Sequence, residues 1–493
     1  MKLSDILNGV NFIGNIPEID ISDIVYDSRM ANESTMFVAL AGAVVDGHDY
    51  AFSAYDKGCR VFLLERQVGL PSDAVTIICD DTRVALSKAS CNFFNNPSKE
   101  LDVVGITGTK GKTTVTYMLH SIFDSCGIKS GVIGTVGAYW GDKSYPTVNT
   151  TPESYETQKI LRMMADDGCK AVFMEASSLG IKQHRIDGIE YFAGVYMNLS
   201  PDHIGGAEHK SFEEYAYWKK QLFLRCKRGV FNGDDLYCRG LADEMPYETL
   251  TFGINEPCDF KADNIELVQD EFLGMKFDVT DNNGTEKFAV AIPGYFSVSN
   301  SLAAMAVASF FGIQKEKIRQ ALLTVKVNGR MEKVPTDTDY HVFIDYAHNG
   351  LSIKNLADII VQYKHNRIIT LFGCPGGRAQ LRRQEMGSVS GSLSDLTIIT
   401  TDDPQFESQD DIADEIAKYV AEQGGEYIKI NDRREAIRYA LSIAQKDDII
   451  LLLGKGNEEY LKINGKKVPF SEREVIKEYL EESGCKKTNR PKK

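Results

Sequence analysis

Residues 101–114 read Leu101-Asp102-Val103-Val104-Gly105-Ile106-Thr107-Gly108-Thr109-Lys110-Gly111-Lys112-Thr113-Thr114. The first six form an apolar, β-branched run of the kind that makes a buried strand, and the segment beyond Thr114 is compatible with a helix. Between them lies a Gly-rich turn closed by Lys and Thr, which is the strand–loop–helix order of a phosphate-binding loop. Glycines let backbone N–H groups close around phosphate oxygens, and a helix N-terminus adds a favourable dipole. Gly108, Thr109, Lys110, Gly111, Lys112, Thr113 and Thr114 are therefore the expected ATP contacts. Lys112 is expected to reach the outer phosphates and Thr113 to offer its hydroxyl to Mg²⁺. One position departs from the strict G-x-x-x-x-G-K-[ST] pattern: Ile106 stands where it has Gly.

Outward from this loop, strand-like runs recur at Ala171-Val172-Phe173-Met174 and Ala193-Gly194-Val195-Tyr196-Met197, with helix-compatible segments between. That alternation predicts an α/β fold with a parallel sheet covered on both faces. Upstream, Met36–Leu40 and Arg60–Leu64 are short apolar strands, and Asn95-Asn96-Pro97-Ser98 reads as a linker. After Gly329-Arg330 a third block carries strands at 341–344, 368–372, 396–399 and 449–453, each ending in a polar or Gly-rich loop. Ligands of open α/β sheets bind beyond the carboxyl ends of strands, so those loops are candidate sites. The expected partition is 1–92, 93–330 and 331–484, followed by a disordered basic tail, 485–493.

Size agrees with several domains, since 493 residues exceed what one core supports. A net charge of −14 argues against a general nucleic-acid or membrane-surface binder. The ten cysteines include no C-x-x-C pair, which argues against structural zinc and predicts scattered reduced thiols. The opening MKLSDILNGV lacks the features of a secretion signal, and no apolar run approaches the roughly 20 residues of a membrane span. A cytoplasmic protein is expected, with no nucleic-acid or membrane partner and no need of an oligomer.

The short form Gly108-Thr109-Lys110-Gly111-Lys112-Thr113-Thr114, together with motifs spread from residue 26 to residue 474, resembles the Mur ligase family. The resemblance implies a three-domain architecture: a UDP-binding N-terminal domain, a central P-loop ATPase-like domain with a parallel sheet, and a Rossmann-like C-terminal domain that takes the amino acid. Tyr26-Asp27-Ser28-Arg29 and the segment from Gly42 to Asp49 resemble the family's uridine-nucleotide pocket, implying contacts from Tyr26, Ser28, Ala43, Val44 and Val45. Asn149-Thr150-Thr151-Pro152-Glu153 resembles the family's NTTPE loop, so Asn149, Thr150 and Thr151 join that site. In the next motif, Ser177, Gln183 and Arg185 would hold the muramoyl-peptide, Arg by its planar two-pronged donor face.

Glu175 ends a strand, where a carboxylate can hold Mg²⁺ opposite the phosphate loop. Asn198-Leu199-Ser200-Pro201-Asp202-His203 resembles the family's NL-x-x-DH, in which the His, here His203, ligates a second Mg²⁺. Lys219 falls on the family's carbamylated lysine, with Lys220 as the alternative register. Carbamylation turns a cation into an anion that can bridge to Mg²⁺; read without the family, both lysines are a solvated helix face. Phe296-Ser297-Val298-Ser299-Asn300 resembles F-N-x-x-N, keeping Asn300 but not the first Asn. Asn300, Arg330 and His348 match ATP-contacting elements, the last two across the hinge between the second and third domains.

For the acceptor amino acid, Arg383 falls on the family's carboxylate-binding Arg. The specificity loop reads Asp402-Asp403-Pro404-Gln405, where members using meso-diaminopimelate have DNPR, and Gly454-Lys455-Gly456-Asn457-Glu458 stands for GKGHE. Gly454 and Glu458 complete the expected amino-acid contacts. Gln405 cannot neutralise a second carboxylate, and Asp403 adds negative charge, which favours L-lysine over meso-diaminopimelate as acceptor. The implied reaction is ATP-dependent amide formation on the D-Glu of UDP-MurNAc-L-Ala-D-Glu through an acyl phosphate, using Mg²⁺ and carbamylated Lys219. The rivals are the same reaction with meso-diaminopimelate, a folylpolyglutamate synthetase-like ligase, and a silent nucleotide-binding homologue.

Overall fold

The computed structural model describes residues 1–42, 45–201, 205, 208–269, 272–377 and 380–484. These sort into two compact units. The first takes residues 1–264, 277–289 and 298–324; the second takes 265–276, 290–297 and the chain from Val325 on. The basic tail 485–493 lies outside the described residues.

In the first unit, strands Asp23–Val25, Thr35–Val38, Val61–Leu64 and Val75–Ile78 form a parallel sheet in that order. Helix Thr82–Phe93 follows, its start fixed by the Asp81 carboxylate accepting from the Arg83 and Val84 amides. A larger sheet centres on Asp102–Thr107, which pairs in parallel with Ala171–Glu175 on one side and Tyr191–Tyr196 on the other. Ser130–Gly134 extends the first side and Gly229–Asn232 and Thr249–Gly253 the second, all parallel. Ala171–Glu175 and Ser130–Gly134 are buried at every position, which is why the first reads as an unbroken apolar run through Met174 rather than an alternating one. Trp140, Tyr191, Phe223 and Phe231 fill the surrounding core.

The small sheet is tied to the large one by packing and charge. Tyr155, in helix Ser154–Asp166, joins the small sheet's core and donates from its hydroxyl to Asp23. Glu153 receives Arg83 at 3.1 Å and Arg185 at 2.8 Å.

In the second unit six strands run in the order Glu332–Val334, His341–Asp345, Ile449–Leu453, Ile368–Phe372, Leu396–Ile399, Tyr427–Lys429. Only the first pairing is antiparallel. The carboxyl ends of Ile449–Leu453, Ile368–Phe372 and Leu396–Ile399 point to one edge, so Gly373, Asp402 and Gly454 emerge together. A hairpin of Tyr460–Ile463 and Lys466–Pro469 follows. The expected strands in all three blocks are present, displaced by at most two residues. Among the described residues no helix is long and apolar enough to cross a membrane.

Candidate active site

The phosphate loop connects Asp102–Thr107 to helix Lys112–Ser125. Gly108 (φ +146°) and Gly111 (φ +90°) adopt backbone conformations that L side chains rarely reach. A Cβ on Gly111 would also come within 2.7 Å of the Asn300 Oδ1, so this expected ATP contact sits directly against the loop. The loop is stapled from the side by Asn198: its carbonyl accepts from the Thr109 amide at 3.0 Å and its Oδ1 from the Lys110 amide at 2.8 Å.

Two ammonium groups converge here. Lys112 Nζ donates to the Gly108 carbonyl at 2.8 Å and to that of Thr109 at 3.2 Å, while Lys219 Nζ donates to the same Gly108 carbonyl at 2.9 Å. The Lys112 ammonium at the loop lip places positive charge where phosphate oxygens would lie. Lys219 is buried, 4.6 Å from the Tyr215 ring centre, whereas Lys220 points outward to Glu244. Only Lys219 approaches the loop; the solvated-face alternative describes Lys220.

Glu175 ends its strand fully buried beside Thr113. Its Oε1 accepts from the Thr113 hydroxyl and from the Thr135 amide, both at 3.0 Å, and its Oε2 accepts from the Thr135 hydroxyl at 3.2 Å. A carboxylate next to a hydroxyl is the hard-oxygen set that suits Mg²⁺. Among the described residues no group of three or more His, Cys, Asp or Glu gathers for a metal. Thr135 was missed from sequence. Its signal was a polar residue just past a buried strand's carboxyl end.

The peptide-binding candidates cluster around Thr151. Its hydroxyl donates to the Glu175 carbonyl at 2.9 Å and accepts from the Ser177 amide at 2.9 Å, while Arg185 Nη1 donates to its carbonyl at 3.1 Å. Thr150 shares a hydrogen bond with Thr135 at 3.1 Å, linking this loop to the metal acid. Burial holds the Arg185 guanidinium below its usual range against the pull of Glu153. Its Nε and the Gln183 Oε1 are buried with no hydrogen-bond partner among the described residues, leaving donor and acceptor capacity for a ligand. Asn149 is half-buried at the start of the same loop.

In the small sheet Ser28 is buried at a turn where Asp27 is engaged by Arg29 at 2.6 Å. Burial and the neighbouring Glu156 carboxylate push the Tyr26 phenol far above its usual range. Val45 is exposed. Ala43, Val44 and His203 lie outside the described residues, as does Arg378.

In the second unit Arg330 lies over the Tyr346 ring at 4.8 Å, and His348 Nδ1 bonds the Tyr346 carbonyl at 2.8 Å. The acceptor loops are organised by two residues that sequence reasoning left unassigned. Arg433, wholly buried against Glu472 at 2.6 Å, donates to the carbonyls of Thr401 at 3.1 Å and Leu453 at 2.8 Å, holding the two loops that begin at Asp402 and Gly454. Lys455 is also wholly buried and lies 2.6 Å from Glu458, 2.9 Å from Asp403 and 3.6 Å from Asp402. Burial pulls its ammonium down, but the carboxylates of Asp402, Glu458 and Asp403 outweigh that and hold it above its usual value. Burial pushes the Asp402 carboxyl up to about 6 despite Lys455 and Arg433 nearby.

These contacts correct the charge argument for L-lysine. Asp403 was expected to present negative charge to a terminal ammonium; it is instead in contact with Lys455 at 2.9 Å, a cation that it shares with Glu458 and Asp402. Arg383 was expected to meet the acceptor's carboxylate and is bound to Glu407 and Glu415, each at 2.7 Å. Gln405, at φ +56°, pairs its backbone with the 460–463 strand rather than standing free in a loop; Pro404 precedes it.

A nucleotide loop, a hard-oxygen pair and charged acceptor loops at the ends of parallel strands define a nucleotide-dependent ligase, and sequence comparison gives the family. The description "Mur ligase family, catalytic domain" matches residues 20–106, "Mur ligase middle domain" residues 106–308, and "Mur ligase, glutamate ligase domain" residues 329–456. The chain belongs to the Mur ligase family and is an ATP-dependent ligase with that family's three-domain architecture. It is 41% identical over 485 residues, covering 98% of this chain and all of the relative, to the UDP-N-acetylmuramoyl-L-alanyl-D-glutamate--2,6-diaminopimelate ligase of Caldanaerobacter subterraneus subsp. tengcongensis. The enzyme of the same name from Clostridium botulinum is 36% identical, with 94% of this chain and 96% of the relative covered. A solved structure of a ligase of that name superposes with a TM-score of 0.69 at 25% identity, over 99% of this chain and all of that one. The MurF ligase of Thermotoga maritima, solved with ADP, shares the fold at 17% identity and a TM-score of 0.60, over 93% and 97% of the two chains.

Proposed function

We propose that this chain forms an amide between the D-Glu γ-carboxylate of UDP-MurNAc-L-Ala-D-Glu and the α-amine of 2,6-diaminopimelate, converting ATP to ADP and phosphate. The observation that supports the reaction type is Lys112 at the loop carbonyl of Gly108 beside the buried Thr113–Glu175 pair. The diaminopimelate acceptor draws support from the names of the relatives.

A carboxylate resists attack by an amine, so it must first be activated. The γ-carboxylate attacks the γ-phosphorus, ADP leaves, and an acyl phosphate results; the acceptor amine then attacks its carbonyl, phosphate departs and the amine's proton passes to solvent. Lys112 is placed to neutralise the transferring phosphoryl group, and the backbone amides of 108–113 to cradle the phosphates. Mg²⁺ held at Thr113 and Glu175 would supply Lewis-acid charge neutralisation. Arg185, Gln183, Ser177 and the 149–151 loop would position the peptide, with Tyr26, Ser28 and the 43–45 segment for the uridine nucleotide. Lys219 is the residue proposed for carbamylation, supported by its burial at the loop, and His203 for a second Mg²⁺. Asn300, Arg330 and His348 would meet ATP, and Arg383, Asp402–Gln405, Gly454 and Glu458 would frame the acceptor. Domain boundaries near residues 92 and 330 fit this division of labour.

The test is direct. Incubation with ATP, Mg²⁺, UDP-MurNAc-L-Ala-D-Glu and a panel of amino acids, followed by mass measurement, should yield the diaminopimelate-containing tripeptide and ADP. Preference for L-lysine would overturn the acceptor assignment, and no product with any amino acid would overturn the reaction.

A further inference from the structure

The proposed acceptor carries an ammonium and a carboxylate at its distal end, and the carboxylate needs a cation. Among the described residues of the second unit's acceptor loops, two cations are committed. Arg383 is gripped by Glu407 and Glu415, and Lys455 is sealed behind Asp402, Asp403 and Glu458. Gln405 has no charge to give.

Lys462 differs from both. It lies on strand Tyr460–Ile463, which runs beside Gln405: its carbonyl accepts from the Gln405 amide at 3.3 Å, Ile463 bridges Gln405, and the Asn464 amide donates to the Gln405 carbonyl at 2.8 Å. Its own amide donates to Asp403 Oδ1 at 2.9 Å, so its backbone is fixed to the acceptor loop. Its ammonium reaches Asp403 only at 4.0 Å, and its side chain is 38% exposed. Lys467 faces it across the hairpin, and the two ammonium groups stand 5.6 and 4.0 Å from the Tyr460 ring centre. Lys462 and Lys467 thus stand near one aromatic ring, with buried Lys455 at 5.2 Å from the same ring, beside an uncharged Gln, an arrangement that a carboxylate would stabilise.

We propose that Lys462, with Lys467 beside it, receives the second carboxylate of the acceptor and is the specificity residue for a dicarboxylate diamino acid. This rests on the diaminopimelate reading above. A carboxylate bound there would exchange the long Asp403 contact for a charge-assisted hydrogen bond.

The experiment compares the full chain with Lys462→Met and Lys462→Arg, measuring KM for meso-diaminopimelate and for ATP, and the KM or competitive inhibition constant for L-lysine. Lys462→Met should raise KM for meso-diaminopimelate on the order of tenfold while moving the L-lysine and ATP constants less than about twofold. Lys462→Arg should restore most of the loss. An unchanged diaminopimelate KM, or an equal rise for both amino acids, would overturn the assignment of Lys462 while leaving the acceptor reading intact. An unaltered chain that does not use meso-diaminopimelate at all would overturn that reading, and this inference with it.

Discussion

Asp402→Asn should make the second unit more stable at pH 8 and leave it unchanged near pH 4. The Asp402 carboxyl is buried, and burial moves it from its ordinary value of 3.8 up to about 6. A carboxyl that holds its proton more tightly when folded costs nothing below about pH 4, where both states are protonated. The cost grows between pH 4 and 6 and is complete above that, where the folded protein must keep a charge that the unfolded chain bears easily. Roughly two units at about 1.4 kcal/mol each set a ceiling near 3 kcal/mol, and relaxation around the amide brings the expectation to about 1–3 kcal/mol. Lys455 keeps its two nearer partners, Asp403 and Glu458, so the substitution strands no cation. Hydrogen exchange of strands Leu396–Ile399 and Ile449–Leu453, corrected for intrinsic rates, reads local stability at both pH values. A variant no more stable than the parent at pH 8, or one with an equal gain near pH 4, would refute this account of Asp402.

Lys112→Ala should fold normally and lose on the order of 10²–10³ in kcat, because it removes a charge aimed at the transferring phosphoryl group; steady-state ADP release checks it. Thr135→Val should raise the Mg²⁺ concentration for half-maximal rate by about tenfold or more, since Glu175 loses the hydroxyl that orients it, and Thr135→Ser should restore it; a Mg²⁺ titration at saturating ATP decides. Lys219→Ala should be nearly inactive and partly rescued by millimolar formate or acetate, whereas Lys220→Ala should retain activity, and rescue of the 220 variant alone would move the carbamylation site by one residue.

Strand 102–107, its two flanking strands and the inner strands of the second unit at 341–345, 368–372, 396–399 and 449–453 were legible because they are largely buried and apolar. The exposed edge strands 332–334 and 427–429 gave no such signal. The phosphate loop was legible because its chemistry is local: glycine conformations, Lys112 and Thr113 all lie within one turn. Thr135 was not, since its role depends on Ser130–Gly134 lying beside the strand that ends in Glu175, some 40 residues away. The charge environment of the acceptor loop was illegible for the same reason in a sharper form. In sequence Asp403 is an added negative charge, and only the folded sheet brings Lys455 to it from 52 residues downstream. Arg433 could be read as one more charged residue on a helix until its guanidinium is seen bonded to two strand-end carbonyls.

That Arg433 clamp bears on attempts to re-engineer acceptor choice. A four-residue cassette covering 402–405, transplanted from a relative, would arrive without its counter-ion at 455 and without the hairpin that carries Lys462. Both loops also hang from one guanidinium through the carbonyls of Thr401 and Leu453, so a change in the path of either is transmitted to the other. The unit of exchange between homologues is therefore the discontinuous set 401–405, 433, 453–467 and 472, moved together.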